Sequence, residues 1–151
     1  MEIGDTLPGG ELTAADGTRF TLADRIGRPL VLYFYPKADT TGCTREAQDF
    51  SALMDDFRAR GASVIGISRD TPAKLTRFAA KHGLVVELAS DEDGSVCEAF
   101  GTWVEKQMYG RSYMGIERAT FLFDAAGKLV QQWRKVKVAG HAAEVLAALP
   151  A

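Results

Sequence analysis

Residues 29–35, PLVLYFY, form an unbroken apolar and aromatic run, the pattern of a strand covered on both faces. After a polar turn over residues 37–42, apolar positions fall at Ala47, Phe50, Met54 and Phe57, three or four apart. That spacing predicts one helix with a single buried face, ending at Gly61. SVIGIS at residues 63–68 is the next buried strand, so strand, helix and strand make a β-α-β unit whose two strands run parallel. Pro36, which has no N–H to give to a ladder, closes the first strand.

The pattern continues on both sides of this unit. Leu12 and Phe20 flank Asp16-Gly17, a turn signal that predicts a small N-terminal hairpin. Thr71 before Pro72 reads as a cap followed by proline at the first helical position; Leu75, Phe78 and Ala79 give that helix its buried stripe and His82-Gly83 its end. A third strand is expected over residues 85–88 and a short helix over 94–100. Residues 101–117 read as a long irregular stretch, and its aromatics Trp103, Tyr109 and Tyr113 suggest that it folds back over something. Residues 119–123 and 129–133, joined by an Asp-Ala-Ala-Gly turn, predict an antiparallel hairpin, and Ala142, Val145, Leu146 and Leu149 a closing helix. This order of elements predicts a thioredoxin-like α/β fold with an N-terminal β-hairpin extension.

A chain of 151 residues with 46% hydrophobic residues can bury one substantial core, so residues 1–151 are expected to form a single domain. The net charge of −2 argues against a nucleic-acid partner, and the basic cluster of Arg134, Lys135 and Lys137 reads as a solvated face. No run is long enough to span a bilayer, and the N-terminus lacks the basic-then-apolar layout of a secretory signal, so a cytoplasmic protein with no membrane partner is expected. His82 reads as a helix C-terminal residue and His141 as an exposed helix start; they are not a metal pair, and no metal or cofactor is assigned. Residues 91–94, DEDG, fit a turn and helix N-terminus better than a calcium loop, and no phosphate-cradling or nucleophile-elbow motif occurs. No extended apolar stripe announces a large interface, which points to a monomer or weak homodimer.

The chemistry concentrates on Cys43, one of two cysteines and placed at a predicted helix start. Unpaired amide N–H groups and the positive end of the helix dipole there favour the thiolate, the nucleophilic form. Thr40 can aim a hydroxyl at whatever approaches the sulfur, Pro36 can shield it from water, and Gly42 lets backbone come close.

PKADTTGC at residues 36–43 resembles the P-x-x-x-T-x-x-C signature of the peroxiredoxins, and YFYPKADTTGCT at 33–44 is similar to their bacterioferritin comigratory protein, or peroxiredoxin Q, subfamily. The likeness extends through GIS at 66–68, LASD at 88–91, WVEK at 103–106, YMGI at 113–116 and RATF at 118–121. It implies a thiol peroxidase that reduces hydrogen peroxide and organic hydroperoxides without a cofactor. Carried over residue by residue, Cys43 is the peroxidatic thiol, Thr40 hydrogen-bonds the peroxide, Pro36 screens the pocket and Arg118 is the active-site guanidinium. Glu46 reads either as a first-turn acid that suits the helix dipole or as a residue that orients Arg118.

Many members of the subfamily carry a resolving cysteine five residues after the peroxidatic one, where this chain has Gln48. The remaining thiol is Cys97, beside Val96, Ala99 and Phe100, and it reads as a buried structural thiol with a resolving role as the alternative. The expected cycle uses one cysteine, and an external thiol such as thioredoxin, glutaredoxin or glutathione attacks the Cys43 sulfenic acid. Two other readings share the fold. A disulfide reductase would need a second cysteine at Thr40, whereas a non-catalytic peroxide sensor or holdase needs nothing more than the first chemical step.

Overall fold

The computed structural model describes residues 1–150. The N-terminal hairpin pairs β1 (Glu11–Ala14) with β2 (Arg19–Thr21), and a 3-10 turn over Leu22–Arg25 leads into β3 (Leu30–Phe34). Then follow α1 (Thr41–Ala52), α2 (Met54–Ala59), β4 (Ser63–Ser68), α3 (Pro72–His82), β5 (Glu87–Ser90) and α4 (Ser95–Ala99). The chain closes with β6 (Trp103–Met108), β7 (Arg111–Ile116), β8 (Ala119–Phe123), β9 (Leu129–Trp133) and α5 (His141–Ala147). Seven strands form one sheet in the order β2-β1-β5-β4-β3-β8-β9, with β3 parallel to β4 and antiparallel to β8.

Every residue of β3 is buried, as its continuous apolar run requires of a central strand. Because side chains alternate, Val31 and Tyr33 face one side of the sheet and Leu30, Leu32 and Phe34 the other. The first face packs against α1, α2, α3 and α5 through Ala47, Phe50, Phe57, Leu75, Phe78 and Val145. The second is covered by α4 and the N-terminal segment, around Leu12, Leu22, Val96 and Phe100. Phe34, Phe100 and Phe121 meet there at ring separations of 5.0–5.6 Å.

Four local expectations need correction. The helix after Pro36 is two helices, broken at Leu53 (φ −102°, ψ 4°), although Ala47, Phe50, Met54 and Phe57 all still reach the core. The third strand starts at Glu87, because the amides of Val85 and Val86 donate to Ser51 Oγ instead of entering the ladder. Residues 101–117 are regular: β6 and β7 form a two-stranded antiparallel ribbon turning at Tyr109 (φ 52°) and Gly110 (φ 76°). Both faces of the ribbon are largely open to solvent, so no apolar alternation marks it in the sequence. His141 is buried at 5% exposure, 2.8 Å from Thr120 Oγ1 and edge-on to Phe50 and Trp133, because the first turn of α5 packs onto β8.

Candidate active site

The site forms where β3 ends and β8 begins. Phe34 and Ala119 are register partners, so Arg118, the residue before Ala119, arrives beside the turn of residues 36–40 that leads from β3 into α1. The backbone of Arg118 is fixed by its carbonyl, which accepts from the Val136 amide at 3.0 Å. Its guanidinium then reaches two groups of α1: Nη2 donates to Cys43 Sγ at 3.3 Å and Nη1 to Glu46 Oε1 at 2.6 Å. Gly42 permits this approach, since a Cβ built there would stand 3.3 Å from Arg118 Nη2.

Cys43 is the third residue of α1 and is 2% exposed, packed in the cluster that contains Tyr33, Tyr35 and Phe50. Thr40 caps α1 from extended backbone but gives no side-chain bond to the first turn; its hydroxyl donates instead to the Lys37 carbonyl at 2.8 Å. The first intrahelical bond runs from the Thr44 amide to the Thr40 carbonyl at 2.9 Å. The amides of Thr41, Gly42 and Cys43 therefore lie ahead of the ladder with no capping side chain, as the sequence led us to expect of a helix start. The Thr40 hydroxyl, with its proton committed to Lys37, is free to accept.

Glu46 is the sixth residue of α1 and 1% exposed, so it is not a first-turn acid and the dipole does not explain it. It meets Arg118 instead. Burial pushes the Glu46 carboxyl up to about 7, against which the Arg118 charge and hydrogen bond act only in part. Burial alone would lower the Arg118 pKa, but the charges of Glu46 and Cys43 outweigh it and the pKa rises. The pair is thus asymmetric: the half-buried cation gains from its neighbours, whereas the fully buried carboxylate pays for desolvation. Glu46 Oε2 and the hydroxyls of Tyr33 and Tyr35 are buried with no hydrogen-bond partner among the described residues.

Pro36 and Thr40 line one side of a cavity of about 580 Å³. The β6–β7 ribbon lines the other with Trp103, Lys106, Met108 and Tyr113, so Trp103 and Tyr113 do fold back over the Pro36 turn, whereas Tyr109, at the tip of the ribbon, stands 97% exposed and does not. Lys106, the last residue of the WVEK run, has no sequence pattern that assigns it to this wall. Its stem lies against Gly115, where a Cβ would come within 3.2 Å of it, and its pKa is lowered by burial and by the Arg118 charge.

The structure does not bring Cys97 to this place. Cys97 is fully buried in the cluster on the opposite face of the sheet from Cys43, and both cysteines are free. Its amide donates to Asp91 Oδ2 at 2.7 Å, and the Val96 amide to Oδ1 at 3.1 Å, so Asp91 anchors the start of α4 as the DEDG turn suggested. Burial and the neighbouring Asp91 push the Cys97 thiol strongly up, away from the reactive thiolate.

Among the described residues no helix is long and apolar enough to cross a membrane, and no group of three or more potential ligands could hold a metal ion.

Comparison with known proteins places this geometry among others. The family model of the AhpC/TSA family matches residues 3–132. Peroxiredoxin Bcp of Xanthomonas campestris pv. campestris is 51% identical over 140 residues, covering 93% of this chain and 88% of that protein. Peroxiredoxin Bcp of Bacillus subtilis is 45% identical over 149 residues, 99% of this chain and 95% of its own. Among solved structures, a cysteine-to-serine variant of PrxQ from Xylella fastidiosa superposes with a TM-score of 0.92 at 43% identity, covering 97% and 94% of the two chains. The bacterioferritin comigratory protein of X. campestris, solved as trapped intermediate and ligand complexes bearing on its alkyl peroxide reduction activity, gives 0.88 at 46% identity over 95% and 96%.

Proposed function

The chain belongs to the AhpC/TSA family and is similar along nearly all its length to peroxiredoxins of the Bcp and Q type, and from that premise we propose that it is a thiol-dependent peroxidase whose peroxidatic residue is Cys43. In the first step the Cys43 thiolate attacks the terminal oxygen of a hydroperoxide. An S–O bond forms, the O–O bond breaks, and the alkoxide or hydroxide that leaves takes up a proton, giving a Cys43 sulfenic acid and an alcohol or water.

The observation that supports this reading above others is the 3.3 Å contact of Arg118 Nη2 with Cys43 Sγ, next to a guanidinium nitrogen already held by Glu46. In the attack, negative charge moves from sulfur to the departing oxygen. A guanidinium held beside the sulfur, with the open amides at the start of α1, meets that charge with donors fixed in advance. The Thr40 hydroxyl oxygen accepts a hydrogen bond from the hydroperoxide O–H and so orients its O–O bond, and Pro36 keeps water from the sulfur. Glu46 acts through Arg118 as a positioning residue.

The second step is assigned to an external thiol of the thioredoxin, glutaredoxin or glutathione class. Its sulfur displaces the sulfenic oxygen as water, forming a mixed disulfide that a further thiol releases to restore Cys43. The opposite-face position of Cys97 favours this one-cysteine cycle over internal resolution. We assign the protein to the cytoplasm, where reductants of that class are maintained, as a monomer or weak homodimer.

The test is mass spectrometry of the protein after one equivalent of hydrogen peroxide in the presence of dimedone. The adduct is expected on Cys43, with none on the Cys43→Ser protein and with peroxide consumption lost in that variant. Peroxide consumption by Cys43→Ser at the parent rate would overturn the assignment.

A further inference from the structure

Asp39 is a residue with a side chain in left-handed backbone, at φ 63°, inside the turn that leads into α1. Both its carboxylate oxygens are engaged by the far end of α3: Oδ2 meets Lys81 Nζ at 2.9 Å and Oδ1 meets His82 Nε2 at 2.8 Å. His82 is the more buried partner: its ring packs edge-on against Phe78 at 5.6 Å and its side chain is 21% exposed, against 62% for Lys81. The pair lowers the Asp39 pKa, the His82 hydrogen bond acting most strongly and the Lys81 bond next. Neither residue touches Cys43, and the peroxidase chemistry leaves them without a task.

The task follows from the direction in which the oxidised sulfur must be approached. Hydroperoxide enters from the side of Pro36 and Thr40, so the oxygen it leaves on Cys43 points that way. A second thiol displaces this oxygen along the S–O line, from the far side of the sulfur, and Cys43 is packed into the core cluster with Tyr33, Tyr35 and Phe50. With Cys43 2% exposed, the first turn of α1 must open before the reductant can react. The turn has no side-chain cap, and the Thr40 hydroxyl bonds within the turn itself. Beyond the turn, four side chains of the described residues hold this segment: Arg118, which donates to Cys43 Sγ at 3.3 Å, Asp70, whose Oδ2 accepts the Ala38 amide at 2.8 Å, and Lys81 and His82, which grip Asp39.

We propose that Asp39, with Lys81 and His82, is a positioning latch that holds the 36–40 turn closed over Cys43 and sets the rate at which an external thiol reaches the oxidised sulfur. This rests on the peroxidase reading and adds a control on its second step. The backbone strain at Asp39 favours opening and the ion pairs oppose it, so removing the charge lets the turn open more often without altering the peroxide pocket.

The test separates the two half-reactions in the full chain, using Asp39→Asn, which keeps a residue tolerant of left-handed backbone, and His82→Gln. Stopped-flow tryptophan fluorescence reads the attack on hydrogen peroxide, and the absorbance of 5-thio-2-nitrobenzoate reads its consumption by the preformed sulfenic acid. Exposed ion pairs of this kind correspond to about a two- to fivefold change. The thiol step is therefore expected to accelerate by about that factor in both variants while the peroxide step stays within about twofold. Hydrogen exchange of the amides of residues 41–45 is expected to quicken equally, with no peroxide present. An unchanged thiol step and unchanged exchange would overturn the latch, as would parallel changes in both half-reactions. A parent protein that does not react with peroxide at all would overturn the peroxidase reading instead, and exchange alone would then decide whether the latch holds the turn.

Discussion

Gly42 and Arg118 are in contact so close that a single methyl group would disturb it: a Cβ on Gly42 would meet Nη2, the nitrogen that faces Cys43, at 3.3 Å. The backbone of Gly42 is ordinary helix, so alanine there suits α1 and stability should hold or rise by a few tenths of a kcal/mol. The guanidinium must then shift by a few tenths of an ångström. Because misplacement on this scale costs catalysis steeply, Gly42→Ala is expected to lower kcat/KM for hydrogen peroxide roughly three- to tenfold. Thermal unfolding and steady-state kinetics on the same preparation check this; equal activity would show that the contact does not position Arg118.

Cys97 lies across the sheet from Cys43, and a bond between them would need far more than unwinding one helical turn. Peptide mapping of the oxidised protein under non-reducing conditions should show no Cys43–Cys97 disulfide. Cys97→Ala should keep its turnover with dithiothreitol within about twofold and lose about 1–2 kcal/mol of stability, the cost of a small cavity beside Val96 and Phe100. A stoichiometric internal disulfide would reinstate Cys97 as the resolving thiol.

The β6–β7 ribbon forms one wall of the cavity at Pro36 and Thr40, and it contributes Met108 and Tyr113 there. Hydrogen peroxide is too small to touch that wall, whereas the organic part of a bulky hydroperoxide must lie against it. Tyr113→Ala is accordingly expected to raise KM for cumene hydroperoxide about three- to tenfold, from the lost apolar contact, and to leave hydrogen peroxide within about twofold. Equal effects on the two substrates would place the organic group elsewhere.

The legibility of these features in the sequence follows from what each one depends on. The central β-α-β unit was plain because both strands are buried on both faces and α1 has one buried stripe, so periodicity alone reports them. The P-x-x-x-T-x-x-C run placed Pro36, Thr40 and Cys43 together because they share one turn. Arg118 entered by resemblance alone; what brings it to Cys43 is the pairing of Phe34 with Ala119, a sheet register that no local pattern encodes. The ribbon was missed because strands open to solvent on both faces have no apolar alternation, although a Tyr-Gly pair between two six-residue runs was a usable turn signal. The grip of Lys81 and His82 on Asp39 left no trace, since an ion pair across 43 positions has no spacing to recognise.

Glu46 gives the pH prediction its sign. Its carboxyl rises from the ordinary 4.5 to about 7 on folding, chiefly through burial. Below pH 4.5 the group is protonated in both folded and unfolded chains and costs nothing; above about 7 it is ionised in both and the folded state bears the full cost. Stability from this group therefore falls as pH rises through that window, by an amount on the order of 3 kcal/mol at 1.4 kcal/mol per pH unit. His141 acts in the opposite direction, because burial lowers its pKa and acid then destabilises the fold, but it is present in both proteins and cancels in a difference. Relative to Glu46→Gln, the parent should lose stability between pH 4.5 and 7.5, read from denaturant midpoints. Activity should move the other way: the ionised carboxylate is the form that holds Arg118 Nη1 at 2.6 Å, so kcat/KM of the parent should climb through pH 7 while the glutamine variant loses that limb. Midpoints that stay parallel across the window would mean that Glu46 is ionised throughout, and that the Arg118 pair overcomes its burial.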